Sequence, residues 1–131
     1  MQNVTGEGVM PKKTLRGEAA VKRAVTDLLE AEKINYYRMN SGNIVLKGKN
    51  GYRAIKLNPK GTPDLLCHLK KSITPYYETP MVCWVEVKAP GKSPTDEQHA
   101  FGVAARLRGE TWLVVDDVKV LKDFLKDQRC R

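Results

Sequence analysis

Apolar residues recur along the chain with two different periods, and the switches between those periods outline the fold. Between residues 18 and 33, Val21, Val25, Leu28 and Leu29 stand three or four positions apart. That is the spacing of one helix face, so an amphipathic helix is expected there. Glu18 lies three residues before Val21 and seven before Val25, which assigns it to the inward side of that helix rather than to the side of Lys22 and Arg23. A short strand over 36–39 and a turn at Asn40-Ser41-Gly42 follow. Two alternating runs, 44–47 and 52–57, flank Asn50-Gly51, a strong hairpin signal. A two-residue turn at that dipeptide pairs Leu46 with Ile55 and Ile44 with Leu57, and leaves Val45, Lys47, Ala54 and Lys56 on the other face.

Beyond the Gly61-Thr62-Pro63 breaker, residues 64–69 read as a strand. The stretch 70–80, with two prolines and two tyrosines, reads as a loop, and 81–88 reads as a buried strand. Ser93 as N-cap and Pro94 at the first helical position predict a helix over 94–108, stopped by Gly109. Thr111–Val115 is a further buried strand. Residues 118–128 form a closing amphipathic helix with Leu121, Phe124 and Leu125 inward. The order of helix, strands, helix, strand and helix predicts an α/β sandwich around a mixed sheet. Residues 1–13 read as a flexible arm, and 14–131 as one domain.

Composition narrows the class. No apolar run approaches the roughly 20 residues of a membrane span. The first residues lack the apolar segment of a signal peptide, so a cytoplasmic protein is expected. Cys67, Cys83 and Cys130 form no C-x-x-C pair, and three is an odd number for a disulfide framework.

Charge adds more once it is located. The net +8 comes from 23 Lys and Arg against 15 Asp and Glu. Nine of those cations (Lys33, Arg38, Lys47, Lys49, Arg53, Lys56, Lys60, Lys70 and Lys71) fall between residues 33 and 77, with Asp64 the one acid among them. The remainder of the chain is balanced, so the whole excess lies in this segment. Crowded like charges favour a polyanion, and nucleic acid is the leading partner, with Arg38, Lys47, Lys49, Arg53, Lys56 and Lys60 as candidate DNA contacts. A solvated basic face without a partner is the plain alternative.

The sharper signal is acidic. Glu86 and Lys88 share one face of a core strand while Val85 and Val87 point away. Asp64 opens another strand. Gln98 lies three and seven positions before Phe101 and Ala105, on the inward side of its helix, unless it serves as a helix cap. Ionised groups are expensive to bury without compensation. If Glu18, Asp64, Glu86, Lys88 and Gln98 converge, the carboxylates can hold a hard divalent cation such as Mg²⁺ or Mn²⁺. Without a cation the carboxylates repel, and at least one pKa should rise.

Gly61-Thr62-Pro63-Asp64, then Glu86-Val87-Lys88, then Ser93 and Gln98 opening a helix, resembles the PD-(D/E)XK nuclease superfamily in its virus-type replication-repair nuclease (VRR-NUC) branch. Glu18 in the first helix and the stretch Tyr37-Arg38-Met39-Asn40-Ser41-Gly42 extend the resemblance over residues 14–131. It implies a restriction-endonuclease-like αβββαβ core, with a mixed central sheet flanked by helices, and a bacterial or phage-encoded enzyme. It also implies an Mg²⁺- or Mn²⁺-dependent deoxyribonuclease. Asp64, Glu86 and the Val87 carbonyl would be the metal ligands, with Glu18 at a second metal or bound through water. Lys88 would act on the attacking water and the phosphate, and Gln98 would support it. Stand-alone members of the branch look like homodimeric endonucleases for branched DNA such as four-way junctions, at work in repair, recombination or phage replication. A DNA-binding module that keeps the fold without catalysis is the rival; it would be expected to lack Asp64, Glu86 or Lys88, and all three are present. Zinc chemistry is rejected because His68 and His99 have no spaced partners. A serine or cysteine hydrolase is rejected for want of a nucleophile motif.

Overall fold

The computed structural model describes residues 16–127. Helix α1 (Gly17–Ala31) buries Val21, Val25 and Leu29, one side of the predicted stripe. It ends by a left-handed turn at Lys33 (φ 56°), where the Lys33 N–H donates to the Glu30 carbonyl and the Ile34 N–H to that of Leu29. These two bonds satisfy terminal carbonyls and bring buried Ile34 back onto the helix, although lysine occupies the site where glycine is usual.

The chain then runs through β1 (Asn35–Arg38), β2 (Asn43–Gly48), β3 (Gly51–Lys56), β4 (Leu65–Thr74) and β5 (Tyr77–Val87). It continues through α2 (Asp96–Leu107), β6 (Thr111–Val115) and α3 (Val118–Asp127). Four strands form one mixed sheet in the order β1-β4-β5-β6. The first two pairings are antiparallel and β5 with β6 is parallel. The parallel pair needs a crossover, which α2 supplies. One face of the sheet carries Leu65, Cys67, Leu69, Cys83, Val85, Val87 and Val115, which pack with Val25 and Leu29 of α1 and Leu121 and Leu125 of α3 as the core. Cys67 and Cys83 stand directly opposite each other there, and burial pushes the Cys67 thiol up to about 12. The other face receives α2. Phe101 meets Trp84 edge to face at 4.9 Å, and Gly102 lies flat against the Trp112 ring, where a Cβ would come within 2.1 Å of ring carbon.

Two expectations fail here. Residues 70–80 are not a loop, because β4 and β5 continue to a tight turn at Pro75 and Tyr76. Pro75 falls in that turn, and Pro80 lies in the part of β5 that β6 does not reach, where a residue without N–H is tolerated. The β2–β3 register is also displaced by two residues. Gly48 faces Gly51, Leu46 faces Arg53 and Ile44 faces Ile55. Only Gly51 takes a positive φ (110°) at this turn, so Lys49 and Asn50 become its central pair and the glycine follows them. A shift of two preserves which residues share a face.

This hairpin is a separate two-stranded sheet. Its root is fixed by Leu57 N–H to the Gly42 carbonyl (2.8 Å) and Gly42 N–H to the Asn58 carbonyl (2.9 Å). Beyond the root, Val45, Leu46 and Tyr52 are exposed, Tyr52 at 75 %.

Candidate active site and basic hairpin

The N-terminal end of β4 and the C-terminal end of β5 lie side by side, since Leu65 pairs with Val85. The residues just before the one and at the tip of the other are therefore forced together. Gly61-Thr62-Pro63 is buried. Thr62 Oγ1 donates to the Pro59 carbonyl at 2.7 Å, and Gly61 (φ 97°) sits so close to α2 that a Cβ would be 2.7 Å from the Glu97 carbonyl oxygen. This rigid turn delivers Asp64. The Asp64 carbonyl accepts the Met39 N–H (2.8 Å), its Oδ2 accepts the Val87 N–H (2.8 Å), and its Oδ1 lies 3.1 Å from the Lys22 ammonium.

Glu86 is 3 % exposed, and its Oε1 has no hydrogen-bond partner. Its pKa is raised to about 8. Burial is the main cause, followed by the Asp64 charge and a hydrogen bond to Asp64; Lys88 opposes the rise, and Glu18 adds a little to it. The predicted rise in a carboxylate pKa is present, and Glu86 is the group that takes it. The Lys88 N–H anchors to the Val115 carbonyl (2.9 Å), and its half-buried side chain stays on the Glu86 side of the strand.

The five predicted residues are thus only partly convergent. Asp64, Glu86 and Lys88 meet. Glu18 lies on the line of Val21 and Val25 but is exposed rather than inward, because it stands in the first turn of α1, ahead of the first buried residue of the helix; its charge nevertheless reaches Glu86. Gln98 is committed to its own helix. Thr95, not Ser93, is the N-cap, its Oγ1 accepting the Gln98 N–H (3.3 Å) while Gln98 Oε1 accepts the Thr95 N–H (2.8 Å). This reciprocal cap explains the glutamine without any role beside Lys88. Lys22, paired with Asp64, is the charged side chain at this site that the sequence reading missed. It sits four positions after Glu18, and residues so spaced share a helix face, which was the available signal.

The donor set suits a hard cation in kind. It offers two carboxylates, one with an unpartnered oxygen. Main-chain N–H and C=O of one strand residue point to the same edge, so the Val87 carbonyl faces the Asp64 side, as its N–H does. Among the described residues, no three His, Cys, Asp or Glu side chains gather tightly enough to form a cage of side chains alone. Any remaining ligands would come from solvent or substrate, as is usual for Mg²⁺.

The basic residues occupy a different arrangement from the acids. Lys47, Lys49, Arg53 and Lys56 all lie on the β2–β3 hairpin, whose residues 43–57 hold no acid. Arg38 ends β1, next to the site. Among the described residues none of these five takes part in an ion pair, whereas Lys60 is bound to Glu97 at 3.2 Å. Lys60 is therefore the one of the six candidate DNA contacts whose charge is already paired. No helix of the described residues is long and apolar enough to cross a membrane.

With this geometry in hand, comparison with protein-family models, with curated proteins and with solved structures gives no match.

Proposed function

We propose that this chain is a divalent-cation-dependent deoxyribonuclease of the PD-(D/E)XK type, with the motif set of the VRR-NUC branch. The observation that carries the reading is the Asp64–Glu86 pair: two carboxylates pressed together at the ends of adjacent strands, one nearly buried with an unpartnered oxygen, and Lys88 beside them. Such an arrangement is unfavourable by itself and becomes favourable when a cation joins it. The chain order α1, β1, β4, β5, α2, β6 supports an αβββαβ core of the restriction-endonuclease kind.

Asp64, Glu86 and the Val87 carbonyl would hold Mg²⁺ or Mn²⁺, which supplies Lewis acidity toward a phosphoryl oxygen and a lowered pKa for a water. Lys88 neutralises charge that builds on the phosphate and orients the attacking water. Glu18, at the rim, reaches the site through water. The basic hairpin and Arg38 track the backbone of the nucleic acid and set its position without reading sequence. Branched DNA and a homodimer belong to the same proposal. Two paired nicks need two sites related by a two-fold axis, and Tyr76, 98 % exposed at the tip of the β4–β5 hairpin, is available for the contact.

A second reading has one observation in its favour. Lys22 already neutralises Asp64, as it would in a DNA-binding module that has given up catalysis. One assay separates the two. Single-stranded, duplex, flapped and four-way DNA are incubated with Mg²⁺, Mn²⁺ or chelator, beside Glu86→Ala. Cation-dependent cleavage lost in the variant is the expected result, and binding without cleavage in every condition would leave the module. Light scattering at micromolar concentration tests the dimer.

A further inference from the structure

Between α1, the end of β1 and the root of the basic hairpin lies a niche of about 180 Å³, lined by Lys22, Arg38, Asn40, Ser41 and Asp64. It adjoins the carboxylate pair without containing Glu86. Besides Met39 and Leu65, its lining holds two cationic residues, a serine and an asparagine against one acid, and that acid is already engaged by Lys22 and by the Val87 N–H. Arg38 has no ion-pair partner among the described residues.

We infer that this niche is a phosphate subsite for the DNA strand being cut, and that Lys22 is a mobile cation shared between Asp64 and that phosphate. The inference rests on the nuclease reading for the identity of the strand, but its physics is local. A divalent cation on Asp64 and the Lys22 ammonium at 3.1 Å from the same carboxylate repel each other. Lys22 has a flexible stem and can swing away, and the niche it already lines is the nearest place where a second anion would receive it. Arg38 supplies a planar guanidinium fork to the same niche, suited to phosphate oxygens. Lys22 thus holds Asp64 in place in the empty protein and grips substrate in the loaded one. It is a positioning residue for the carboxylate and a binding residue for the phosphate.

Two independent readouts follow. The first is Mn²⁺ affinity without DNA, by titration calorimetry or the loss of free-ion paramagnetic signal. Lys22→Met should bind Mn²⁺ about fivefold more tightly, the size of effect that a partly exposed ion pair allows, while Arg38→Met should leave that affinity unchanged. The second is binding of a short fluorescent duplex across a salt series, with Ca²⁺ held at constant concentration so that a divalent cation is present to displace Lys22 from Asp64. Each variant should lower the slope of log affinity against log salt by about 0.9, one phosphate contact, and Lys22→Arg should restore it. Unchanged Mn²⁺ affinity together with an unchanged slope in Lys22→Met would overturn the inference. If instead the wild-type chain neither binds Mn²⁺ nor cleaves, while both methionine variants lose slope, the subsite stands and the nuclease reading falls.

Discussion

Replacing Glu86 with glutamine should make the protein more stable, and by an amount that depends on pH in a defined way. In the unfolded chain Glu86 ionises with its ordinary pKa of 4.5, and in the folded protein with a pKa of about 8. The shift is upward for an acid, so the unfolded state releases its proton first. Below 4.5 both states hold the proton and the group is neutral in its effect. Between 4.5 and 8 the unfolded state is favoured by about 1.4 kcal/mol per pH unit, and above 8 the penalty is constant. By pH 7 the accumulated loss is about 3 kcal/mol. Glutamine keeps the shape, can still donate to Asp64, and never ionises, so the penalty disappears. Urea unfolding of wild type and Glu86→Gln at pH 4.5, 6, 7 and 8.5 measures it. With an m-value of about 1.5 kcal/mol/M, the midpoints should separate by about 2 M at pH 7 relative to pH 4.5. Saturating Mn²⁺ should narrow the gap by stabilising the wild type alone. Midpoint differences that stay constant across this pH range would refute the reasoning, because they would mean that Glu86 is not held neutral by its surroundings.

Gly102→Ala should destabilise the fold by about 3 kcal/mol in the same assay, since the added methyl meets the Trp112 ring and α2 must lift from β6. Thr95→Ala should cost about 1 kcal/mol, and a double-mutant cycle with Gln98→Ala should show coupling between the two caps while leaving any cleavage per folded molecule unchanged. Neutralising Lys47, Lys49 and Arg53 together should make the salt dependence of DNA binding shallower by two to three units, read by fluorescence anisotropy, with thermal stability nearly unaltered because none of the three is in an ion pair of the described structure.

What the sequence made legible follows from how local each signal is. The stripe of Val21, Val25 and Leu29 and the run Thr111–Val115 were read correctly because burial alone sets their periods. Asp64 and Glu86 could be joined because each puts an ionisable group at one end of a core strand, where an apolar residue would be expected. Residues 70–80 misled because two prolines look like breakers wherever they fall, and only the pairing of β4 with β5 shows that one lies in a turn and the other beside an open edge. The hairpin register turned on one glycine's φ, which no pattern of side chains encodes. Ser93 and Thr95 are equally good caps by type, and the choice was made by Gln98, whose two hydrogen bonds select the residue three before it. Lys22 escapes a reading of the apolar stripe because it stands beside that stripe, at the rim where the polar side of α1 meets the sheet and Asp64.

The facing pair Cys67 and Cys83 gives the centre of the sheet its own clock. Both sulfurs sit in the core, and at neutral pH the Cys67 thiol is almost wholly protonated, so an alkylating reagent finds no thiolate there to attack. Reaction becomes possible when the cover of α1 and α3 over that face of the sheet lifts or the sheet itself opens. With Cys130, which lies outside the described residues, exchanged for serine, the pace of labelling reports how often the core behind the strands that bear Asp64 and Glu86 opens. The same two strands carry the acidic pair and its stopwatch, so the endurance of the site can be timed without touching a residue of the site itself.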